Sequence, residues 1–563
     1  MARQSEEDIV DLIRIVLSEH ETYYNQKRME FRRYSDAYDT EFWRNSKNRI
    51  DNDMIRVETS DCFAYVEGFI ASLFSKHPAV VLAKDPAMTT GNPELAQVVA
   101  NRFLFDKREH IENSSRLSLI YPSSFLKLSA NDSDDMLEKV AVRAVPPWEV
   151  IVDADATSWD EQRFLAHIYY LTLPEAKAKF GNNKSWSPIP KEDYFATVEE
   201  NMTVLGARQS VLPEDYLYIK IIEFYDMNYD QLYFWSPNLE DATQLLQAGV
   251  EIPIRTYDDS PLSPIVPMYY SKKPQKPLVG LSAVARLYDQ FYEKNIMRTY
   301  WANSVRRNSR QAIYKKGVFD DEALAKITSG VDGAMIGVDS QSLEGLFKWV
   351  EQQPISFDFD RYLGSIERDI NRGSISAPFT DGVVSGATAT EIMAISQYSA
   401  SEIGKMARER DAAIERIALV YLRIISDLVG GGEGQDGDED FQEQTVTLEV
   451  DGNRRIISPK DLDAKFKIVA LDQASTPLSE TIKKQNLVEL LPILQNLGVP
   501  MNKVKEEIIR LYDLPKSFLE DPPPPPPQEM PPQGLPQGMA EGMPPQGMPP
   551  QGMPQGLPPN LGL

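Results

Sequence analysis

The sequence predicts an α+β fold, and three observations carry that prediction. Apolar residues recur at i, i+3 and i+4 through several long stretches, the spacing of one buried face on a helix. Between residues 125 and 235, short apolar runs alternate with polar turns, the signature of strands. From Asp521 onward the chain turns to proline, glutamine, glycine and methionine and carries neither pattern. The remainder of the 563 residues has ordinary globular composition, 42% hydrophobic and 10% aromatic, which is ample for a large core.

The first helix is expected from Glu6 to about Tyr34, where Ile9, Leu12, Ile13, Val16 and Leu17 recur with charges between them. A second runs from Thr59 to Phe74 and stops before His77-Pro78, since a proline disfavours helix in the residue before it. Ala79–Leu82 reads as a short strand, and a third helix covers about Pro93 to Ile111. Residues 126–151 read as β, with Phe125–Leu128 and Val140–Val145 flanking the turn Asn131–Asp135. Further strands are expected at Ala166–Leu171, Tyr216–Tyr225 and Leu232–Trp235, giving a first half with helices outside a mixed sheet. The proline-punctuated stretch Pro261–Pro277 marks a boundary.

After Gly280 the pattern is helical without interruption from Leu281 to about Tyr314, which at 1.5 Å per residue reaches about 50 Å. Weak strands and glycines follow over 317–354, then a second helix at Asp358–Asn371. The longest helix starts at Thr388, where Thr388-Ala389-Thr390-Glu391 forms a capping box, and runs to about Val429 before Gly430-Gly431-Gly432. Strands at Thr445–Val450 and Arg454–Ile457 flank a turn at Asp451-Gly452. Two short helices are expected near 478–497 and 502–511. The tail, with Pro522–Pro527 and repeats such as Pro544-Pro545-Gln546-Gly547-Met548, reads as disordered or polyproline-like because such a composition cannot bury a core.

Composition removes several function classes. The start of the chain is charged and then amphipathic, with no signal-type apolar core, and the most apolar helical stretch, 414–429, is broken by Glu415, Arg416, Arg423 and Asp427. No membrane association is therefore expected. Cys62 is the only cysteine, so no intrachain disulfide forms, and a small buried hydrophobe in a reducing compartment is its expected role. Four scattered histidines make a His/Cys zinc site a poor expectation. Neither a Walker-type phosphate loop nor a G-x-S-x-G elbow occurs. The formal charge of −25, from 59 Lys+Arg against 84 Asp+Glu, repels nucleic acid on average. Such a surface cannot grip DNA through its phosphates, but it suits a wall along which DNA slides.

Three constellations remain. Asp153-Ala154-Asp155 has the spacing of a magnesium-binding carboxylate pair, although its neighbours read as a structured acidic turn. Arg306, Arg307, Arg310, Lys315 and Lys316 form the largest cationic patch in an acidic chain, with 306 and 310 on one helical face. They suit a helix C-terminus or salt bridges to a neighbouring subunit; the other reading is contact with DNA or a packaging partner. The loop 373–387, led by Arg372 and otherwise uncharged except for Asp381, reads as a connector. The residues alone point to no catalytic, cofactor-binding or metal-ligating set.

Several strings, in order, resemble the portal proteins of tailed double-stranded-DNA bacteriophages, of the short-tailed type. They are Ala144-Val145-Pro146-Pro147-Trp148-Glu149-Val150-Ile151-Val152-Asp153, then Thr172-Leu173-Pro174-Glu175-Ala176-Lys177, then Glu223-Phe224-Tyr225. Gly280-Leu281-Ser282 and Gly386-Ala387-Thr388-Ala389-Thr390-Glu391 follow, each opening a helix. The likeness spans roughly residues 5–515. It implies a portal fold, with an α/β wing over 1–277, a stem helix over 278–314, a small α/β clip over 315–357 and a second stem helix over 358–372. It further implies a tunnel loop at 373–387, a long wing helix with return strands over 388–476, a short crown over 477–520 and the Pro-rich tail 521–563 in place of a helical barrel. The DNA-facing residues would be Arg372, Ser374, Phe379, Thr380, Asp381, Val383 and Ser385, with the basic cluster 306–316 at the stem–clip junction.

The resemblance implies a non-enzymatic homo-oligomer, normally a dodecamer, at one capsid vertex of the virion, assembled in the host cytoplasm. Its implied partners are the terminase large subunit, head-tail adaptor proteins, the major capsid and scaffolding proteins, and double-stranded DNA in transit; no cofactor is implied. Another head-tail adaptor or internal virion protein is the competing reading. A metal-dependent nucleic-acid enzyme using Asp153 and Asp155 is the competitor from another class.

Overall fold

A computed structural model describes residues 5–43, 55–84, 91–131, 138–181, 184–191, 194–195, 213–308, 312–314, 319–329, 347–349, 357–373, 389–430, 446–450, 453–457, 459–462 and 464–470. All belong to the first of the chain's two units, Met1–Lys483.

Helix α1 (Glu6–Tyr38) opens on a capping box, in which Ser5 and Asp8 satisfy each other's backbone N–H groups. Its buried residues Ile9, Val10, Ile13, Val16 and Leu17 pack on a five-stranded sheet, while Phe31 and Tyr34 join a separate helical core. Helix α2 (Asp61–Leu73) and strand β1 (Val80–Lys84) follow as the sequence predicts. The expected third helix is two, α3 (Pro93–Asp106) and α4 (Arg108–Ile120), meeting at Lys107. The apolar pattern hides α4 because its inward face carries serines. Ser114 bonds the Ser124 hydroxyl at 2.8 Å, and the Ser115 hydroxyl returns to the Ile111 carbonyl at 3.0 Å.

Strands β2 (Ser124–Ala130) and β3 (Val140–Val145) form the predicted hairpin, and β4 (Val150–Val152), β5 (Phe164–Thr172), α5 (Leu173–Phe180), β6 (Tyr218–Asp226) and β7 (Gln231–Trp235) follow. Strand β8 (Gln247–Glu251), unseen in the sequence, borders β7. The order β4-β5-β6-β7-β8 makes one sheet and β3-β2-β9 the other, where β9 is Ile265–Met268. Each of these pairings is antiparallel, which corrects the expectation of a mixed sheet. The short connections, as between β6 and β7, are the turns of antiparallel hairpins. The stretch Pro261–Pro277 is woven into the sheet, with Pro267 opposite Phe125 on edge strand β9, where a missing N–H is tolerated.

Strands β10 (Lys272–Lys273) and β11 (Lys276–Gly280) lead into helix α6 (Ala283–Asn308). Gly280 is required by closeness: a Cβ there would lie 1.5 Å from the Pro122 carbonyl oxygen. Ser282 then caps α6, accepting from the Ala285 amide at 3.0 Å and donating to the Ile120 carbonyl at 2.6 Å. The predicted helix to Tyr314 stops at Asn308; Ala312–Tyr314 is strand β12, paired with β13 (Phe347–Trp349) around helix α7 (Asp321–Ser329). Pairing to β13 thus overrides a local pattern that is compatible with helix, since Ala-Ile-Tyr suits a strand equally well.

Helix α8 (Phe357–Gly373) and the 42-residue α9 (Ala389–Gly430), about 63 Å long, complete the helical part. Strands β14 (Val446–Val450) and β15 (Asn453–Ile457) pair with Val450 opposite Asn453, the register of a two-residue hairpin turn. Helix α10 (Pro459–Leu462) and β16 (Phe466–Ala470) close the described chain, β16 pairing antiparallel with β1. The largest core joins α1–α4, β2, β9, α6, α8 and α9. At its centre Phe103 stacks on Tyr421, centroids 3.7 Å apart. Arg410 of α9, 2% exposed, is held there by the Leu73 carbonyl and by Asp411. The expected helices at 478–497 and 502–511 and the tail 521–563 lie outside the described residues.

Candidate functional site

Helices α6 and α8 lie side by side and antiparallel. The order of their contacts establishes the direction: Leu287 meets Gly373, Lys294 meets Glu367 at 3.2 Å, and Glu293 accepts from the Tyr362 hydroxyl. Lys294, nearly buried, also reaches Asp61 of α2 at 3.0 Å, so one ammonium ties three helices together. The segment between the helices is gathered at its ends by the β12–β13 pair, Ala312 opposite Trp349 and Tyr314 opposite Phe347. The result is a helical hairpin with a small α/β insert at its tip.

The outer surface of this hairpin carries several large apolar residues among charged ones such as Arg298, Arg361 and Arg368. Tyr292, Ile296 and Tyr300 follow one another at intervals of four on α6, so they share a side of the helix, and Tyr300 is 66% exposed. Trp301 and Val305 form a second exposed pair, and Tyr362 is exposed on α8.

Of the cationic cluster, Arg306 and Arg307 sit in the last turn of α6, at the insert end of the hairpin, where cations complement the helix dipole. Arg310, Lys315 and Lys316 lie outside the described residues. Arg372 belongs to the last turn of α8, because that helix continues through Gly373. Ser374, Phe379, Thr380, Asp381, Val383 and Ser385 lie outside the described residues, as does Thr388 of the expected capping box.

Asp153 and Asp155 occupy the turn between β4 and β5, and Arg163 spans both. Its guanidinium meets the buried Asp153 carboxylate at 2.5 and 2.8 Å and Asp155 at 3.3 Å. The Asp153 carboxyl is held below the ordinary carboxylate range, first by this hydrogen bond and against the effect of burial. The guanidinium thus pairs with both carboxylates, offsetting the charge of the acidic turn. Among the described residues no group of three or more His, Cys, Asp and Glu is arranged to hold a metal.

Sequence reasoning missed three features. The first is a polar ladder along α6. Asn295, Thr299 and Asn303 accept from the backbone N–H groups of Thr59, Val57 and Ile55, each at 2.9 Å, and Asn303 donates back to the Ile55 carbonyl. The spacings match: four residues of helix rise about 6.0 Å and two extended residues about 6.6 Å. The polar i, i+4, i+8 row beside the apolar face was the signal that could have revealed it.

The second is a buried charged cluster on β2, β5 and β6. Lys127 contacts Glu223 and also His167 Nδ1 at 3.1 Å, while the Tyr225 hydroxyl donates to Glu223. Burial, aided by Lys127, drives the His167 pKa well below its ordinary value, so this ring is neutral. Alternation along β5 and β6 does not foretell it, since each residue lies on a strand that is buried on both faces.

The third is a cavity of about 710 Å³ between α1, β5, β6 and Pro190, Lys191, Tyr194 and Phe195. Trp148 stacks on Tyr194 at 4.1 Å with rings 5° from parallel, and Tyr194 donates to the Tyr24 carbonyl at 2.8 Å. His20, on its α1 wall, bonds the Trp148 carbonyl at 3.0 Å, and burial lowers its pKa to about 4. Its aromatic residues come from five separate segments, so no local motif announces it.

Set against models of known protein families and against curated proteins, the sequence matches none.

Proposed function

We propose that this chain is the repeating subunit of a portal ring at the unique vertex of a phage capsid. It would serve as the channel for DNA packaging and ejection and as the docking site for terminase and tail adaptors. The observation that carries the reading is the antiparallel pair α6–α8 with its insert closed by β12–β13 and its outward apolar residues. In a ring of copies, the α6–α8 hairpin is the stem and the insert is the clip. Tyr292, Ile296, Tyr300 and Tyr362, wet in a single chain, are then covered by the neighbouring copy, which lateral packing favours at about 25 cal/mol per Å² of apolar surface.

The charge of −25 per copy favours a wall that DNA passes without sticking, and the cations at the end of α6 supply local attraction at the stem–clip junction. No covalent chemistry enters this role, and twelve copies is the expected number. The test is native mass spectrometry with negative-stain microscopy of the purified chain. A closed ring of about a dozen copies with a central hole supports the reading; a ring of clearly different size favours an adaptor. A compact monomer that cleaves DNA, with cleavage abolished in Asp153→Ala/Asp155→Ala, overturns it.

A further inference from the structure

A smaller cavity, of about 290 Å³, opens between α9, the start of β5, the turn 159–162 and the loop 256–263. The unspent hydrogen-bonding capacity of its wall is one-sided. Trp159 Nε1, Gln162 Nε2 and Arg416 Nε are buried N–H donors, and none of the three has an acceptor. Gln162 is 5% exposed, and its amide oxygen accepts from the Asp153 N–H at 3.1 Å, which identifies the NH2 as the end left over. The hydroxyl oxygens of Thr256 and Ser263 accept from the amides of Ser260 and Ile265, each at 3.1 Å, which leaves their protons to donate. The two carboxylates at the rim are already taken, Asp160 by Arg416 at 2.6 Å and Asp258 by Lys465 at 2.9 Å.

We propose that this cavity binds a small organic carboxylate with an apolar body. A wall whose spare groups are all donors suits a ligand that only accepts, and an ionised carboxylate accepts without donating. Buried N–H groups without acceptors are costly and rare in native structures. Three on one wall gain acceptors together when a carboxylate enters, after side-chain rotations of the kind common on binding. Among the described residues Arg416 is the one cation in the lining, and Asp160 already shares it. A single negative charge is therefore matched, whereas a phosphate dianion is not. Leu165, Met227, Pro261 and Leu262 form the apolar part of the wall, against which the rest of the ligand packs. A cation is disfavoured because both acids are paired and every spare group would point a proton at it. The volume lies at the small end of ligand cavities, so the body is about one ring in size. None of this depends on whether the chain forms a ring.

The test is equilibrium dialysis of the full-length chain against radiolabelled benzoate, with neutral benzamide and inorganic phosphate as competitors. The expected result is saturable uptake of benzoate that neither competitor displaces at equal concentration. Trp159→Phe keeps an aromatic ring and loses the indole N–H, and Arg416→Lys keeps the charge beside Asp160 and loses the Nε–H. Each should weaken benzoate binding roughly tenfold, the worth of one hydrogen bond to a charged group. Each should also narrow the preference for benzoate over benzamide, which a change in packing alone would leave as it was. No saturable uptake at about 10 mM benzoate, where a ligand of this size with a satisfied carboxylate is bound, overturns the proposal. So does displacement by benzamide or phosphate as effective as by benzoate itself, a result read on the unaltered chain even where a variant fails to fold. Variants that bind and discriminate as the parent does overturn it as well.

Discussion

Replacing Thr299 by valine removes one oxygen from the middle rung of the α6 ladder and changes the side chain's shape very little. The hydroxyl accepts from the Val57 amide at 2.9 Å, and Thr299 is 7% exposed, so water cannot fully take its place. An amide left without its partner in such a site costs about 1–3 kcal/mol. The rungs above and below, Asn303–Ile55 and Asn295–Thr59, keep the strap in place, so the loss is local and does not unfold the chain. Converted at 1.36 kcal/mol per tenfold, the Val57 amide should exchange roughly 5- to 150-fold faster with deuterium. Amides 55 and 59 should follow by smaller factors, and those of the distant β6 should not change. The assay is residue-resolved hydrogen exchange at neutral pH, paired with urea denaturation to confirm that global stability drops by no more than the local loss. Unchanged exchange at Val57 would refute the ladder. Equal acceleration throughout α6 would instead show that Thr299 supports the helix and not the strap.

Three further outcomes follow from the same coordinates. His20 has a folded pKa lowered to about 4 against 6.5 when unfolded, so the unfolded chain takes up its proton first; stability should fall as pH drops from 6.5 toward 4, a loss absent in His20→Gln, and the His20 ring signal in NMR should titrate near 4. For Asp153 the carboxyl is held down by Arg163, so its contribution is present above the ordinary carboxylate pKa and is lost as pH falls below about 4; Asp153→Asn should flatten that acid limb in a denaturation series. Gly280→Ala places a Cβ 1.5 Å from the Pro122 carbonyl oxygen and should abolish the folded state or cut the melting temperature sharply. Gly68→Ala, inside α2 with nothing within 4 Å, should raise it by a helix-propensity gain of up to about 1 kcal/mol.

Helix existence was legible wherever one face is plainly apolar, as in α1, α2 and the start of α6. It failed where burial is achieved by other chemistry. Helix α4 hides behind Ser114, Ser115 and Ser118, and the end of α6 behind a strand whose partner lies 33–37 residues farther on. Strands β5–β7 were readable because each is a hydrophobic run set off by polar turns; β8, with little buried along it, was not. Of the residues singled out for chemistry, the pair Asp153 and Asp155 could be found by spacing, but the cation that occupies them, Arg163, lies eight or more positions away with no motif to flag it. The aromatic cavity shows the same limit, since Tyr24, Trp148, Tyr194 and Tyr218 converge only through tertiary structure.

The pairing of β1 with β16 sets the order in which the molecule can be completed. Val80 faces Ala470, so β1 leaves the ribosome about 390 residues before its partner. At 5–20 residues per second, that is a wait of roughly 20–80 s with an open strand edge. The N-terminus of α3 waits as well, because the Asn92 amide bonds the Asp461 carbonyl and Gly91 packs against Ala464. Any chain released early, before position 466, therefore exposes an apolar strand that can pair with another unfinished copy. Slow or interrupted synthesis should therefore raise the aggregated fraction of the product, and under the ring reading proposed above it should do so at the expense of rings.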